Sequence, residues 1–82
     1  MSTKRVLFVD DDDTFQIIAK HIANLSHIVA DKCYDPITAI EMMKKRKYDI
    51  VFVDQRLPDM DGTELIGIIA DQYPETDFYL VT

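Results

Sequence analysis

Tyr48-Asp49-Ile50-Val51-Phe52-Val53-Asp54 decides how the rest of this 82-residue chain is read. Four apolar residues, β-branched or aromatic, run directly into one carboxylate. An apolar run of this length between polar residues predicts a strand over 49–54, buried on both faces, and therefore a parallel sheet. In open α/β sheets, ligands bind beyond the carboxyl ends of the strands. Asp54 is thus expected at the mouth of such a sheet. Behind it come Gln55-Arg56-Leu57-Pro58-Asp59-Met60-Asp61-Gly62, a loop with turn residues at both ends. Pro58 is expected to fix the loop, and Gly62 to permit a tight turn before a helix.

Working outward, Val6-Leu7-Phe8-Val9 is a second apolar run that ends in acid, Asp10-Asp11-Asp12-Asp13. It predicts a strand over 5–10, with Asp12 or Asp13 capping a helix from about Thr14 to Leu25. Phe15, Ile18, Ile22 and Leu25 give that helix one apolar face. A second strand over 28–34 has mixed polarity, as an edge strand would. Asp35-Pro36 is a cap followed by proline at the first helical position. The helix it opens is expected to reach Arg46, with Ile37, Ile40 and Met42 or Met43 turned inward. Its basic end, Lys44-Lys45-Arg46-Lys47, favours the helix C-terminus and reads as a solvated end. Thr63 is expected to cap a helix carrying Leu65, Ile66, Ile68 and Ile69, which Tyr73-Pro74 stops. Phe78-Tyr79-Leu80-Val81 predicts a fourth strand, and Thr82 ends it.

The alternation βαβαβαβ implies parallel strands joined by right-handed crossover helices. A chain of 82 residues holds at most one domain and buries only about 60–65% of its unfolded surface. Hydrophobic residues at 48% and charged residues at 29% describe a globular protein. A net charge of −6 argues against direct nucleic-acid binding and against anionic membrane surfaces. The single cysteine, Cys33, cannot form an internal disulfide and reads as inert core in a reducing cytoplasm. No apolar run is long enough for a signal peptide or a spanning helix. His21 and His27 lack partner spacing and read as surface residues, and Met42, Met43 and Met60 as packing.

In a doubly wound sheet the first and third strands are central neighbours. Their ends bring Asp10, Asp11 and Asp54 into one pocket, where three carboxylates repel one another. Protonation or a hard divalent cation relieves that repulsion, and oxygen-only ligands in a half-open site suit Mg²⁺. A carboxylate beside bound Mg²⁺ can attack a phosphoryl group and become an aspartyl phosphate. The Thr82 hydroxyl is then expected to reach a phosphoryl oxygen.

These residues together resemble the receiver domain of two-component response regulators. The matching pieces are Val6-Leu7-Phe8-Val9-Asp10-Asp11, Asp54, Leu57-Pro58, Met60-Asp61-Gly62, and Thr82 at the family's switch position. The resemblance implies a flavodoxin-like α/β sheet with strand order 2-1-3-4. It implies that Asp54 accepts phosphate from a histidine kinase or histidine phosphotransfer protein, without the chain being an enzyme. It implies a Mg²⁺ site made by Asp11, Asp54, the backbone carbonyl of Arg56 and, through water, Asp10. Arg56 stands where the family tunes the lifetime of the phosphoryl group. A complete receiver has five βα units and a lysine on its fifth strand. Lys4, Lys32 and Lys44–Lys47 do not match that lysine. Residues 1–82 therefore read as the N-terminal part of a single receiver domain, impaired as a switch. Its open sheet edge is expected to promote a homodimer or a swapped oligomer.

Two other functions fit parts of the pattern. Asp10-Asp11-Asp12-Asp13-Thr14 also matches the Asp-x-Asp-x-Thr signature of haloacid-dehalogenase-like phosphohydrolases, with Asp10 as nucleophile and Asp12 as general acid. The remaining alternative is an interaction or assembly module that is never phosphorylated.

Overall fold

The computed structural model describes residues 3–11, 21 and 27–81. Apart from His21, the helix expected over 14–25 lies outside them, as do Asp12, Asp13 and Thr82. Four strands form one sheet: β1 (Lys4–Val9), β2 (Ile28–Cys33), β3 (Ile50–Asp54) and β4 (Asp77–Val81). All neighbours pair in parallel, in the order β2-β1-β3-β4. That is the order of a doubly wound, flavodoxin-like sheet, with β2 at one edge as its mixed polarity predicts.

Helix α1 (Pro36–Lys45) follows β2, and α2 (Gly62–Ile69) follows β3 and continues into a 3₁₀ turn over Ala70–Gln72. Asp35 caps α1: its Oδ1 accepts the Thr38 N–H at 2.7 Å, and its Oδ2 accepts the Thr38 hydroxyl at 2.9 Å. Pro36, Ala39 and Met43 are the buried positions of α1. Ile37, expected inward, is 62% exposed. The stripe Pro36-Ala39-Met43 meets the sheet, and a helix of 3.6 residues per turn carries Ile37 off that face.

Both described helices cover the same face. Leu7, Val9, Val51 and Val53 of β1 and β3 pack there with Ala39 and Met43 of α1 and Leu65 and Ile69 of α2. On the other face Val6 and Phe8 are buried, but Ile50 and Phe52 stay half-buried. Among the described residues, helices cover β3 on one face, whereas its apolar run predicts cover on both. Phe8, Phe52 and Tyr79 stack in a row across that second face, with ring centroids 5.3 and 5.5 Å apart. Offset stacking of this kind contributes about 0.5–1.5 kcal/mol per pair beyond area burial. On the edge strand β4, Tyr79 and Leu80 are both exposed.

The end of the sheet where β3 and β4 begin is tied by polar contacts. The Tyr48 hydroxyl donates to Asp31 at 2.7 Å, and Arg46 and Arg5 approach the same carboxylate at 3.3 and 3.6 Å. Burial and the Asp31 charge push the Tyr48 phenol upward. The buried Thr76 hydroxyl donates to the Tyr48 carbonyl at 2.6 Å. Lys44–Lys47 line an open cavity of about 440 Å³ there, with Lys47 paired to Glu75. The basic run thus lies in solvent, at the end of the sheet away from the acids.

Candidate functional site

β1 and β3 are in register with Val9 opposite Val53, so the next residues, Asp10 and Asp54, stand side by side at the carboxyl ends of the two strands, with Asp54 still paired to Val81 of β4. Asp10 is 1% exposed, and its backbone N–H donates to the Cys33 carbonyl at 3.1 Å, which carries the β1–β2 ladder one residue past the strand. Asp54 is half-buried and Asp11 exposed. One oxygen from each of these three carboxylates lies within 4.8 Å of the others. The residues that the sequence brings together are therefore together, on a floor of strand ends with one side open.

The donor set is oxygen only, carries three formal negative charges, and grades from buried to exposed. These properties fit a hard divalent cation that keeps part of its water shell, and they do not fit a soft thiolate or imidazole metal. Cys33, paired with Val9 across the β1–β2 ladder, lies beside Asp10 but faces the core, and burial pushes its thiol up to about 12. It is inert, as expected.

The loop after β3 is folded tightly back. Arg56 and Asp61 form an isolated antiparallel bridge, and the Gly62 N–H donates to the Gln55 carbonyl at 3.0 Å. Asp59, at the turn, takes φ 72°, the left-handed region that Asp tolerates better than most residues. Gly62 does not have a positive φ. It is glycine for another reason: a Cβ there would collide with the Asp54 carbonyl oxygen and lie 2.8 Å from Leu80 Cδ1. The start of α2 therefore rests directly on the backbone of Asp54, a closeness between separate elements that a turn-based reading of Gly62 misses.

Arg56 contributes its backbone N–H, which donates to Asp54 Oδ1 at 3.1 Å. Thr63 does not cap α2. The cap position is Asp61, whose side chain makes no capping bond. Gln55 caps instead: its Oε1 accepts the Thr63 N–H at 3.1 Å and the Thr63 hydroxyl at 2.8 Å. The Gln55 N–H donates to the Val81 carbonyl at 3.1 Å. Sequence reasoning gave Gln55 no role, and its partners Gly62, Thr63 and Val81, 7, 8 and 26 positions away, leave no local signal.

A parallel 2-1-3-4 sheet with an acidic pocket at the ends of its two central strands defines a receiver-type α/β domain. The response regulator receiver domain model matches residues 6–82, and the chain belongs to that family. Among curated relatives, a protein-glutamate methylesterase/protein-glutamine glutaminase of Pyrococcus abyssi is 36% identical over 72 residues, 85% of this chain and 20% of that protein. The aerobic respiration control sensor protein ArcB of Escherichia coli is 32% identical over 72 residues, 88% of this chain and 9% of its own length. A CheY-like response regulator receiver domain from Methanospirillum hungatei superposes with a TM-score of 0.87 at 27% identity, covering 99% of this chain and 65% of the solved one. The signal receiver domain of an HD domain-containing protein from Pseudomonas fluorescens gives 0.87 at 25% identity, covering 98% and 59%. The chain therefore spans about three-fifths of these solved receiver domains and one-fifth or less of the two curated relatives.

Proposed function

We propose that this chain is a phosphoacceptor module in which Asp54 takes a phosphoryl group from a histidine kinase or histidine phosphotransfer protein. The observation that carries this reading is the convergence of Asp10, Asp11 and Asp54 within 4.8 Å at the strand ends. Membership of the receiver family and likeness to a sensor protein support the choice of donor.

In the transfer, an Asp54 carboxylate oxygen forms a P–O bond as the P–N bond of the donor phosphohistidine breaks. The imidazole nitrogen keeps the electron pair and takes up a proton. The Arg56 N–H holds Asp54 Oδ1 and so limits the rotation of the attacking group. Asp10, Asp11, Asp54 and the Arg56 carbonyl would hold Mg²⁺, which when bound supplies neutralisation of the charge on the phosphoryl oxygens. Thr82 is proposed as the hydroxyl that contacts the phosphoryl group once it is in place. Asp54 is consumed once per transfer, so the chain is an acceptor and not an enzyme. No described helix is long and apolar enough to cross a membrane, and a cytoplasmic setting suits a partner kinase domain. The exposed Tyr79 and Leu80 of β4 support self-association along that edge, which light scattering on dilution checks.

The test is incubation with phosphoramidate, a small P–N donor, with and without Mg²⁺, followed by peptide mapping of the labile phosphoryl group. The reading expects Mg²⁺-dependent label on Asp54 and none in Asp54→Asn. Label on Asp10 would favour the phosphohydrolase reading, and no label under any condition would favour an interaction module.

A further inference from the structure

We infer that Gln55 is the positioning residue of the acceptor loop, holding the backbone beside Asp54 in the one arrangement that restrains its carboxylate. This inference rests on the proposed role of Asp54. It starts from a concentration of bonds on one residue. The Gln55 N–H donates to Val81 at 3.1 Å, its carbonyl accepts the Gly62 N–H at 3.0 Å, and its Oε1 accepts both donors of Thr63. Gln55 is thus tied to the end of β4 on one side and to the first turn of α2 on the other. It is also the residue through which the chain passes from Asp54 to Arg56.

The side-chain amide decides the outcome because the backbone bonds remain with any residue at position 55. Asp61, at the cap of α2, makes no capping bond, so the Gln55 oxygen is what satisfies the Thr63 N–H. Removing that acceptor leaves the start of α2 free to draw away from the loop. Gly62 rests on the Asp54 carbonyl, so movement there reaches the acceptor residue directly. The Arg56 N–H, one residue beyond Gln55, then no longer meets Asp54 Oδ1 at a fixed 3.1 Å. A carboxylate that turns freely attacks less often in line. A misplacement of about 1 Å can cost up to roughly 10²-fold in rate.

Four proteins test this: wild type, Gln55→Met, which keeps length but cannot accept, Thr63→Val, which removes one of the two donors, and the double variant. Each is confirmed folded by circular dichroism, then phosphorylated with phosphoramidate and Mg²⁺, and the exchange rate of the Arg56 amide is read by NMR. We expect Gln55→Met to accept phosphate about tenfold more slowly and its Arg56 amide to exchange at least tenfold faster. Thr63→Val should fall between, and the double variant should be no slower than Gln55→Met, since both act through one contact. A purely structural role would lower the urea midpoint and leave the rate per folded molecule at the wild-type value. That result, or an unchanged Arg56 exchange rate, overturns the inference. If Gln55→Met does not fold, Thr63→Val carries the same two readouts. Wild type that never takes up phosphate refutes the role of Asp54, while the Arg56 exchange rates still decide whether Gln55 holds the loop.

Discussion

Substituting Asp54→Asn should make the metal-free protein more stable, although it removes the proposed phosphoacceptor. Three carboxylate oxygens from Asp10, Asp11 and Asp54 lie within 4.8 Å of one another. At that separation two unit charges repel by about 0.9 kcal/mol in bulk water and about 3.5 kcal/mol at an effective dielectric near 20. Asp10 is buried, which places its pair with Asp54 toward the larger value, and Asp11 is exposed, which places its pair near the smaller. Asparagine keeps the oxygen that accepts the Arg56 N–H, so no hydrogen bond is lost with the charge. Allowing for residual repulsion in the unfolded chain, the gain is about 1–3 kcal/mol. In a domain of this size each kcal/mol moves Tm by roughly 4–8 °C. The assay is urea and thermal unfolding by circular dichroism in EDTA at low salt, with Asp71→Asn, an exposed acid outside the cluster, as the control. Mg²⁺ should then stabilise wild type more than the variant, because it binds the folded cluster that the variant has weakened. A variant as stable as wild type, or less stable, in EDTA would show that the three carboxylates do not strain the fold, and the electrostatic argument for a cation would fail.

Three further outcomes follow from particular contacts. Gly62→Ala should lose about 1–3 kcal/mol in urea unfolding, because its Cβ meets the Asp54 carbonyl and Leu80, and overpacking against backbone does not relax cheaply. Asp35→Ala should cost about 1 kcal/mol at neutral pH through loss of the α1 cap. The Thr38 N–H and then the Thr38 hydroxyl lower the Asp35 carboxyl in the folded state. Its contribution is therefore complete above the unfolded value of about 3.9 and fades as pH falls through the lower folded value. The gap between wild type and variant should narrow as pH falls below about 4, and a gap independent of pH would contradict this. Cys33, pushed up to about 12 by burial, should resist iodoacetamide at pH 8 in the native protein and react readily in urea. Equal rates in the two states, by mass spectrometry, would refute its placement in the core.

The order of elements and the acidic pocket were legible because each rests on a long-range consequence of a short pattern. An apolar run ending in Asp, found twice, is enough to predict two central strands and a shared mouth. The paired register of Val9 and Val53 then supplies the meeting of Asp10 and Asp54. What was not legible depends on contacts between distant segments. Ile37 looks like a core residue by hydropathy, but the small Ala39 faces the sheet in its place. Gly62 reads as a turn former, whereas the constraint is the approach of α2 to the Asp54 backbone. Thr63 has the composition of a cap, yet it donates to Gln55, which does the capping from eight residues upstream. The hydrophobic run of β3 suggested two covered faces, and both described helices lie on one.

The central claim is that two chain segments deliver Asp10, Asp11 and Asp54 to one cation site. Paramagnetic Mn²⁺, a hard ion with the same preference for oxygen, tests it residue by residue in the ¹⁵N-labelled protein. At low Mn²⁺ the amide signals of Asp10, Asp11 and Asp54 to Arg56 should broaden first and together, and excess Mg²⁺ should restore them. Broadening spread evenly over exposed acids such as Glu41, Glu64 and Asp71, with the Asp54 signal intact, would contradict it.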